Sequence, residues 1–203
     1  MTGAGAGAGG RAPAGRRVTL LTGGRGAGKS TVCLRMGELA RGAGIAVAGI
    51  ASQGVFRQGA RVGLEAVDLA TGEHWLLAST VEQQDGPAVG PFSFSLPGLQ
   101  RALAALDRAL DRFVDPAVQP ETGLFILDEV GPLEIARRQG FFPVVARLRI
   151  ASSPDLLVVV RPELVGELRA ALGEGRFTVV EVTRDSRDAL PERLLAAVGA
   201  GPG

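Results

Sequence analysis

Eight residues near the start of the chain, GGRGAGKS, combine glycines, a lysine and a hydroxyl at a spacing that suits phosphate chemistry. They occupy positions 23–30, directly after the apolar run VTLLT, and fit G-x-x-x-x-G-K-[ST] at every fixed position. Glycines let backbone N–H groups converge on one point, and a helix that begins there adds its positive end. We therefore predict a phosphate-binding loop in which Lys29 reaches the β and γ phosphates and Ser30 binds Mg²⁺.

The predicted nucleotide-binding residues of this loop share one continuous stretch. Lys29 is the only lysine among the 22 lysines and arginines of the chain, and an arginine fork does not replace a compact ammonium at a phosphate. For the Arg25 side chain, two interpretations are equally good: contact with phosphate, or exposure to solvent. The set comprises Gly23, Gly24, Arg25, Gly26, Ala27, Gly28, Lys29, Ser30 and Thr31.

A pair of carboxylates follows a second apolar run, LFIL, at positions 124–127. Asp128 and Glu129 would stand at the carboxyl end of a buried strand, where ligands bind in open α/β sheets. We expect Asp128 to hold Mg²⁺ through water and Glu129 to orient or deprotonate a water for attack on the γ-phosphate. This pair favours hydrolysis over transfer to an acceptor hydroxyl, without deciding between them.

Charge that develops on the γ-phosphate oxygens calls for a further cation. Arg161 follows the run LLVVV and is our candidate for a catalytic arginine, while Arg184 and Arg187 follow VVEV and are candidates for nucleotide binding. For each, an ordinary surface role is at least as good an explanation. His74 and Cys33 are better explained by structural roles.

The elements that would position these groups alternate between strands and helices. We predict strands over 17–22, 45–51, 123–129, 155–160 and 176–182, and helices over 29–41, 96–113, 133–150, 162–172 and 190–198. Because most of these strands are apolar throughout, the pattern predicts an α/β fold with a mainly parallel, RecA-like P-loop sheet that carries helices on both faces.

The segment 52–95 is too long and too rich in strand patterns for a simple crossover. It contains strand patterns at 61–69, 74–79 and 91–95, and we expect an inserted antiparallel hairpin beside the sheet. We predict one domain over 17–199, preceded by a disordered Gly/Ala-rich leader over 1–16 and followed by a tail over 200–203.

Composition narrows the classes of function. The chain has 203 residues, a formal net charge of +1 and no block of like charges, which gives no electrostatic case for nucleic acid or a membrane surface. A single cysteine suits a reducing cytoplasm. Because the chain has no asparagine, the Asn-Lys-x-Asp reader of guanine is excluded.

Several blocks in order resemble a known family, the small P-loop nucleoside triphosphatases of thermophiles and the human cancer-related nucleoside triphosphatase. The family pattern GF-T-E-R-G-x-R-x-GF-x-hydrophobic-L-x-TG is similar to the stretch GIASQGVFRQGARVGLEAVDLATGE, with Arg61, Gly63, Leu69 and Thr71-Gly72 in matching places. VGPFSFSLPGLQRAL, DEVGPLE at 128–134 and TRDSRDALP at 183–191 match further blocks.

The resemblance implies slow, Mg²⁺-dependent hydrolysis of several nucleoside triphosphates with loose base preference. It also implies that the loop containing Arg184 and Arg187 lies near the base or sugar. Departures from the family pattern are Pro132-Leu133 in place of Lys-Met, Ser186 in place of Asn, and Gln53 in place of an acid, while Phe56 stands where the family has an aromatic residue.

Two alternatives to hydrolysis stay open at this point. One is a kinase that transfers the γ-phosphate to a nucleoside or small metabolite, with the 52–95 segment as acceptor platform. The other is a nucleotide-dependent adaptor for cofactor assembly. We expect a monomer that binds a nucleoside triphosphate, with neither nucleic acid nor membrane as partner, and a partner protein stays open.

Overall fold

One mixed sheet runs through the protein and carries helices on both faces. The computed structural model describes residues 16–114, 122–149 and 154–198. Nine strands of this part form a sheet in the order β5-β6-β4-β3-β2-β7-β8-β1-β9. In chain order, β1 to β9 span Arg17–Thr22, Ala46–Arg57, Ala60–Asp68, His74–Ser79, Ala88–Val89, Phe92–Phe94, Gly123–Val130, Asp155–Val160 and Arg176–Glu181.

Five strands of the sheet take part in parallel pairs, as the apolar runs predict. β1 pairs with β8 and β9, and β7 pairs with β2 and β8, all in parallel. The remaining pairings, β2 with β3, β3 with β4, β4 with β6 and β6 with β5, are antiparallel. The prediction of a mainly parallel sheet is therefore wrong, because parallel and antiparallel pairings are equally represented.

The cause of this mixture is the 52–95 segment, which continues the sheet instead of standing beside it. β2 runs on to Arg57, well past the predicted end at residue 51, and then turns back through Gln58 and Gly59, both at positive φ. On the side of β2 that does not pair with β7, β3 forms hydrogen bonds with the backbone groups of β2. Strands β4 to β6 then continue the sheet beyond β3.

Helices cover the two faces of the sheet. They are α1 (Lys29–Gly42), α2 (Leu96–Val114), α3 (Pro132–Ile135), α4 (Phe142–Leu148), α5 (Val165–Leu172) and α6 (Leu190–Leu195). Buried residues of α2, α4 and α5 form one apolar cluster, while α1, with its buried Cys33, and the start of α6 form a cluster on the opposite face. In the described part of the chain, no helix is long and apolar enough to span a membrane.

The single helix predicted over 133–150 is two short helices. Arg138 and Gly140 adopt positive φ between α3 and α4, a conformation that a continuous helix does not tolerate. The helix predicted over 162–172 begins as a 3₁₀ turn at Pro162–Leu164 before α5. The leader and tail lie outside the described residues, except Arg16.

Arg16 is a buried arginine that joins two helix ends beneath the sheet. Its guanidinium donates to the carbonyl oxygens of Leu148 and Leu172, which end α4 and α5. Burial lowers the pKa of this guanidinium from its ordinary value. Arg16, which the prediction assigned to the leader, therefore makes its contacts within the folded domain.

Candidate functional site

Sheet order brings the predicted site groups to one edge of the molecule. β8 lies between β1 and β7, and the three strands are parallel, so their carboxyl ends meet at the same edge. The glycine loop follows β1, Arg161 follows β8, and Asp128 stands near the end of β7. Strands are spaced by about 4.8 Å, so β1 and β7 are ~10 Å apart. This span suits a polyphosphate group lying across the edge.

The glycine loop presents an open cradle at the start of α1. Gly23, Gly26 and Gly28 have φ of 134°, 76° and 103°, values that favour glycine over other residues. Gly28 precedes α1, and no side chain caps the first turn of that helix. A side chain added at Gly24 or Gly26 would meet nothing within 4 Å. The loop therefore leaves room at a helix N-terminus, which favours an anion.

Lys29 folds back across its own loop. Its Nζ donates hydrogen bonds to the carbonyl oxygens of Gly23 at 2.8 Å and Gly24 at 3.0 Å. These bonds hold the ammonium beside the cradle that the loop forms. Of the neighbouring residues in the predicted set, Ala27 is buried, Ser30 is half-buried, and Arg25 and Thr31 are exposed.

The loop after β9 packs directly against the glycine loop. The aliphatic stem of Arg187 covers Gly28, where an added Cβ would lie 2.7 Å from Arg187 Cδ. Thr183 and Ser186 exchange hydrogen bonds between their amides and hydroxyls, at 3.0 and 3.2 Å, and so fix the turn that carries the arginines. Arg187 thus borders the predicted phosphate site, whereas Arg184 is exposed and has no contact with the glycine loop among the described interactions.

Asp128 is fully buried and held by the neighbouring strand. The amide N–H of Ser52 on β2 donates to its Oδ2 at 3.0 Å, just beyond the last backbone pair between β2 and β7, Ile50 with Leu127. Side chains alternate along β7 as far as Leu127, beyond which the pairing with β8 is irregular, and Asp128 directly after Leu127 takes the side of Leu124 and Ile126, which pack with α1. The carboxylate therefore shares a face of the sheet with the helix that bears Ser30.

Arg161 lies beside the segment that follows the carboxylates. Val160 pairs with Val130, and Arg161 Nε is 4.0 Å from the point where a Gly131 side chain would begin. Arg161 is exposed, so its guanidinium is accessible at the edge between β1 and β7. Glu129 belongs to β7, but its side chain lies outside the described part of the structure.

The available donors fit a magnesium ion shared with phosphate. A serine hydroxyl and a carboxylate are hard oxygen ligands, and Mg²⁺ is bound by one or two such groups together with phosphates and water. Within the described residues no three His, Cys, Asp or Glu side chains gather into a metal site of their own. The open cradle beside Ser30 provides the space for the phosphates that would complete the coordination.

A sequence profile described as NTPase matches residues 18–195. The chain belongs to the NTPase family. Relatives include the nucleoside-triphosphatase THEP1 of Methanopyrus kandleri, which is 36% identical over 88% of this chain and 93% of the relative. The THEP1 of Thermofilum pendens is 31% identical over 89% and 94%.

Two solved structures show the same fold as this NTPase. The crystal structure of THEP1 from Aquifex aeolicus has a TM-score of 0.67 and 20% identity, with coverage of 89% of this chain and 98% of the other. The solution structure of a human cancer-related nucleoside triphosphatase has a TM-score of 0.68 and 24% identity, with coverage of 89% and 96%. They support the P-loop fold predicted from the glycine motif.

Two buried polar residues of this NTPase were not predicted as part of the site. Ser52 holds Asp128, and Glu134 accepts hydrogen bonds from the amides of Gly131 at 2.9 Å and Phe141 at 3.3 Å. Glu134 thereby ties the start of α3 to the start of α4 and shapes the segment after β7. In the sequence, Ser52 could have been noticed from its position: it is a hydroxyl residue directly after the apolar run IAVAGIA, where a strand was predicted to end.

Proposed function

We propose that this chain hydrolyses nucleoside triphosphates to diphosphate and phosphate in the presence of Mg²⁺, with loose base preference. Membership of the family makes the chain a nucleoside-triphosphate phosphatase. The observation that carries the proposal is the meeting of the glycine loop, Arg161 and Asp128 at one edge of the sheet.

Phosphate binding begins at the cradle. Backbone N–H groups at the start of α1 donate to phosphate oxygens, and Lys29 exchanges its bonds to Gly23 and Gly24 for bonds to the β and γ phosphates. The bond to Gly24 is solvent-exposed and the bond to Gly23 is partly buried, and phosphate oxygens would replace both carbonyl oxygens as acceptors for the ammonium. Arg187 borders the loop on the side of β9, and we propose that Arg187 and Arg184 lie near the base or sugar of the nucleotide.

The chemical step is the attack of water on the γ-phosphorus. The water oxygen forms the new P–O bond, the bond to the β–γ bridging oxygen breaks, and the diphosphate leaves with that electron pair. Glu129 takes the proton of the water and returns it to the phosphate product. Arg161 stabilises the charge that spreads over the γ oxygens. Mg²⁺ held by Ser30 and, through water, by Asp128 would neutralise charge on the β and γ oxygens.

Loose base preference is supported by the contacts of the loop after β9, which we propose to face the nucleotide. The hydroxyl of Ser186 is engaged by Thr183, so it has little capacity left for reading a base edge. The chain also has no asparagine to serve as an amide reader. We keep as predictions that the protein is a cytoplasmic monomer and that its ligand is a nucleoside triphosphate rather than nucleic acid.

The test is phosphate release from ATP, GTP, CTP and UTP, with Mg²⁺ and with excess EDTA. We expect release from all four, within about tenfold of one another, and none above background in EDTA. Glu129→Gln keeps the size of the side chain but removes the base, so turnover should fall by about 10²-fold or more. Release that is the same in wild type and Glu129→Gln would contradict the proposed role of this residue.

A further inference from the structure

Three cationic side chains follow three neighbouring strands of the sheet. The strands β8, β1 and β9 are adjacent in that order, and β1 is parallel to both of the others. Arg161 comes directly after β8, Lys29 belongs to the loop after β1, and Arg187 belongs to the loop after β9. Because neighbouring strands are about 4.8 Å apart, this row of cations extends over ~10 Å along the edge. Such a row suits a chain of linked anions.

Arg187 takes its place in the row because its stem lies on the glycine loop. A Cβ added at Gly28 would lie 3.5 Å from Arg187 Cβ, 3.6 Å from Cγ and 2.7 Å from Cδ, so the stem runs past the residue that precedes α1. Its Nε is buried and makes no hydrogen bond to the residues that the structure describes. Asp188 lies 3.4 Å from this Nε but is 82% exposed, so water screens that ion pair. The guanidinium therefore keeps donors for an anion beside the loop.

The loops at this edge offer charge but no aromatic platform for a base. Neither the glycine loop nor residues 183–189 contain phenylalanine, tyrosine or tryptophan. Phe177 belongs to β9, but it stands near the start of that strand, away from the site, and its ring packs against Arg169. The hydroxyls of Thr183 and Ser186 are 3.1 Å apart and bond to each other. The side chains that the structure brings to the glycine loop are therefore suited to phosphates.

We propose that inorganic tripolyphosphate is a substrate of the same site. Arg161 faces its terminal phosphate, Lys29 the terminal and middle phosphates, and Arg187 the third, which in a nucleotide is the phosphate next to the sugar. This inference rests on the proposed hydrolysis and names the phosphate chain as the part of the substrate that the site recognises. Tripolyphosphate contains that whole chain and lacks only the base and the sugar.

The chemical step balances as it does for a nucleotide. The water oxygen bonds to the terminal phosphorus, the bond from that phosphorus to its bridging oxygen breaks, and pyrophosphate leaves with the electron pair. Glu129 takes the proton of the water and returns it to the phosphate product. One pyrophosphate and one phosphate are formed for each water consumed, and no further co-reactant enters.

The test is incubation of the full chain with Mg²⁺ and tripolyphosphate, followed by ion chromatography of the products. We expect equal amounts of pyrophosphate and phosphate, with kcat/KM within about tenfold of the value for ATP, because the two substrates share the phosphate contacts. Tripolyphosphate should also inhibit ATP hydrolysis competitively, whereas adenosine at the same concentration should not inhibit it. Lys29→Ala is the control for a contaminating phosphatase and should abolish both activities.

Arg187→Met tests the assignment of the third phosphate, because methionine keeps an unbranched apolar stem over Gly28 and removes the charge. We expect KM to rise by about tenfold or more for tripolyphosphate and by a similar factor for ATP, because a charge-assisted contact is lost from both. The unfolding temperature should change little. Arg193→Met is the matched control, since Arg193 is exposed on α6 and its replacement removes the same charge. It should leave both KM values unchanged.

The inference is overturned if ATP is hydrolysed and tripolyphosphate is not, or if tripolyphosphate is hydrolysed equally by wild type and Lys29→Ala. A rise of KM for ATP alone in Arg187→Met would also overturn it, because that result assigns the guanidinium to the base or sugar. Absence of phosphate release from ATP and tripolyphosphate alike would instead refute the proposed function itself, so the two failures are distinguishable.

Discussion

Lys29 is the residue on which the proposed phosphate site depends most. We expect Lys29→Ala to lower affinity for a Mg²⁺–nucleotide complex by at least about 100-fold. Lys29 is the only lysine of the chain, and its ammonium lies beside the glycine loop. The unfolding temperature should change little, since one of its two hydrogen bonds is solvent-exposed and the other is only partly buried. Fluorescence titration with a labelled triphosphate measures the affinity.

Arg35→Ala is a suitable control for this titration. Arg35 lies on the exposed side of α1, pairs with Glu38 at 3.0 Å, and takes no part in the proposed site. Its loss removes one positive charge, as Lys29→Ala does, and should leave affinity within about twofold. Nucleotide affinity retained by Lys29→Ala would show that the glycine loop is not the phosphate site.

Residues of the site divide into those that local sequence predicts and those that it cannot. Sequence motifs predict Gly28, Lys29 and Asp128 as members of the proposed site, because these motifs require only a strand before and, for the loop, a helix after. Ser52 and Glu134 are not, because their partners come from a neighbouring strand and from a turn whose geometry depends on the whole segment 131–141. A buried hydroxyl or carboxylate has no periodic pattern that reveals its partner.

At the scale of elements, the close approach of β2 and β7 holds Ser52 against Asp128. Gly49 on β2 has φ of 121°, and a side chain there would collide with the carbonyl oxygen of Ile126 on β7. Gly49→Ala should therefore lower the free energy of unfolding by more than about 2 kcal/mol, since it combines a steric clash with a strained backbone.

Urea denaturation checks this expectation, with Gly42→Ala as the control. Gly42 ends α1, and a side chain there meets nothing within 4 Å, so its replacement should be neutral or stabilise by up to about 1 kcal/mol. Equal stability of Gly49→Ala and wild type would contradict the described contact between β2 and β7.

The elements were predicted better than their arrangement. The alternation of apolar strands and amphipathic helices predicts β1, β7 and β8 and the helix α1 that follows β1, because each pattern is local. The pairing of β3 with the outer edge of β2 is not predictable in this way, since both a separate hairpin and an extended sheet satisfy the same alternation. The division of 133–150 into α3 and α4 depends on positive φ at both Arg138 and Gly140. Glycine is a sequence signal for such a break, whereas the positive φ of Arg138 is not indicated by residue preference.

At the scale of the whole molecule, the sheet order brings the residues of the proposed site together. Parallel β1, β8 and β7 deliver the glycine loop, Arg161 and Asp128 to one edge, while β2 adds Ser52 and the loop after β9 adds Arg187. The antiparallel strands β3 to β6 lie beyond β2 and supply none of the proposed catalytic groups. The central claim is thus that this edge directs water to the γ-phosphorus.

Hydrolysis in water enriched in ¹⁸O tests that claim most directly. The protein is incubated with Mg²⁺ and ATP for a single turnover, and both products are analysed by mass spectrometry. We predict one ¹⁸O atom in each inorganic phosphate and none in the diphosphate. Label in the diphosphate, or transfer of the γ-phosphate to an added nucleoside without label in free phosphate, would contradict the account.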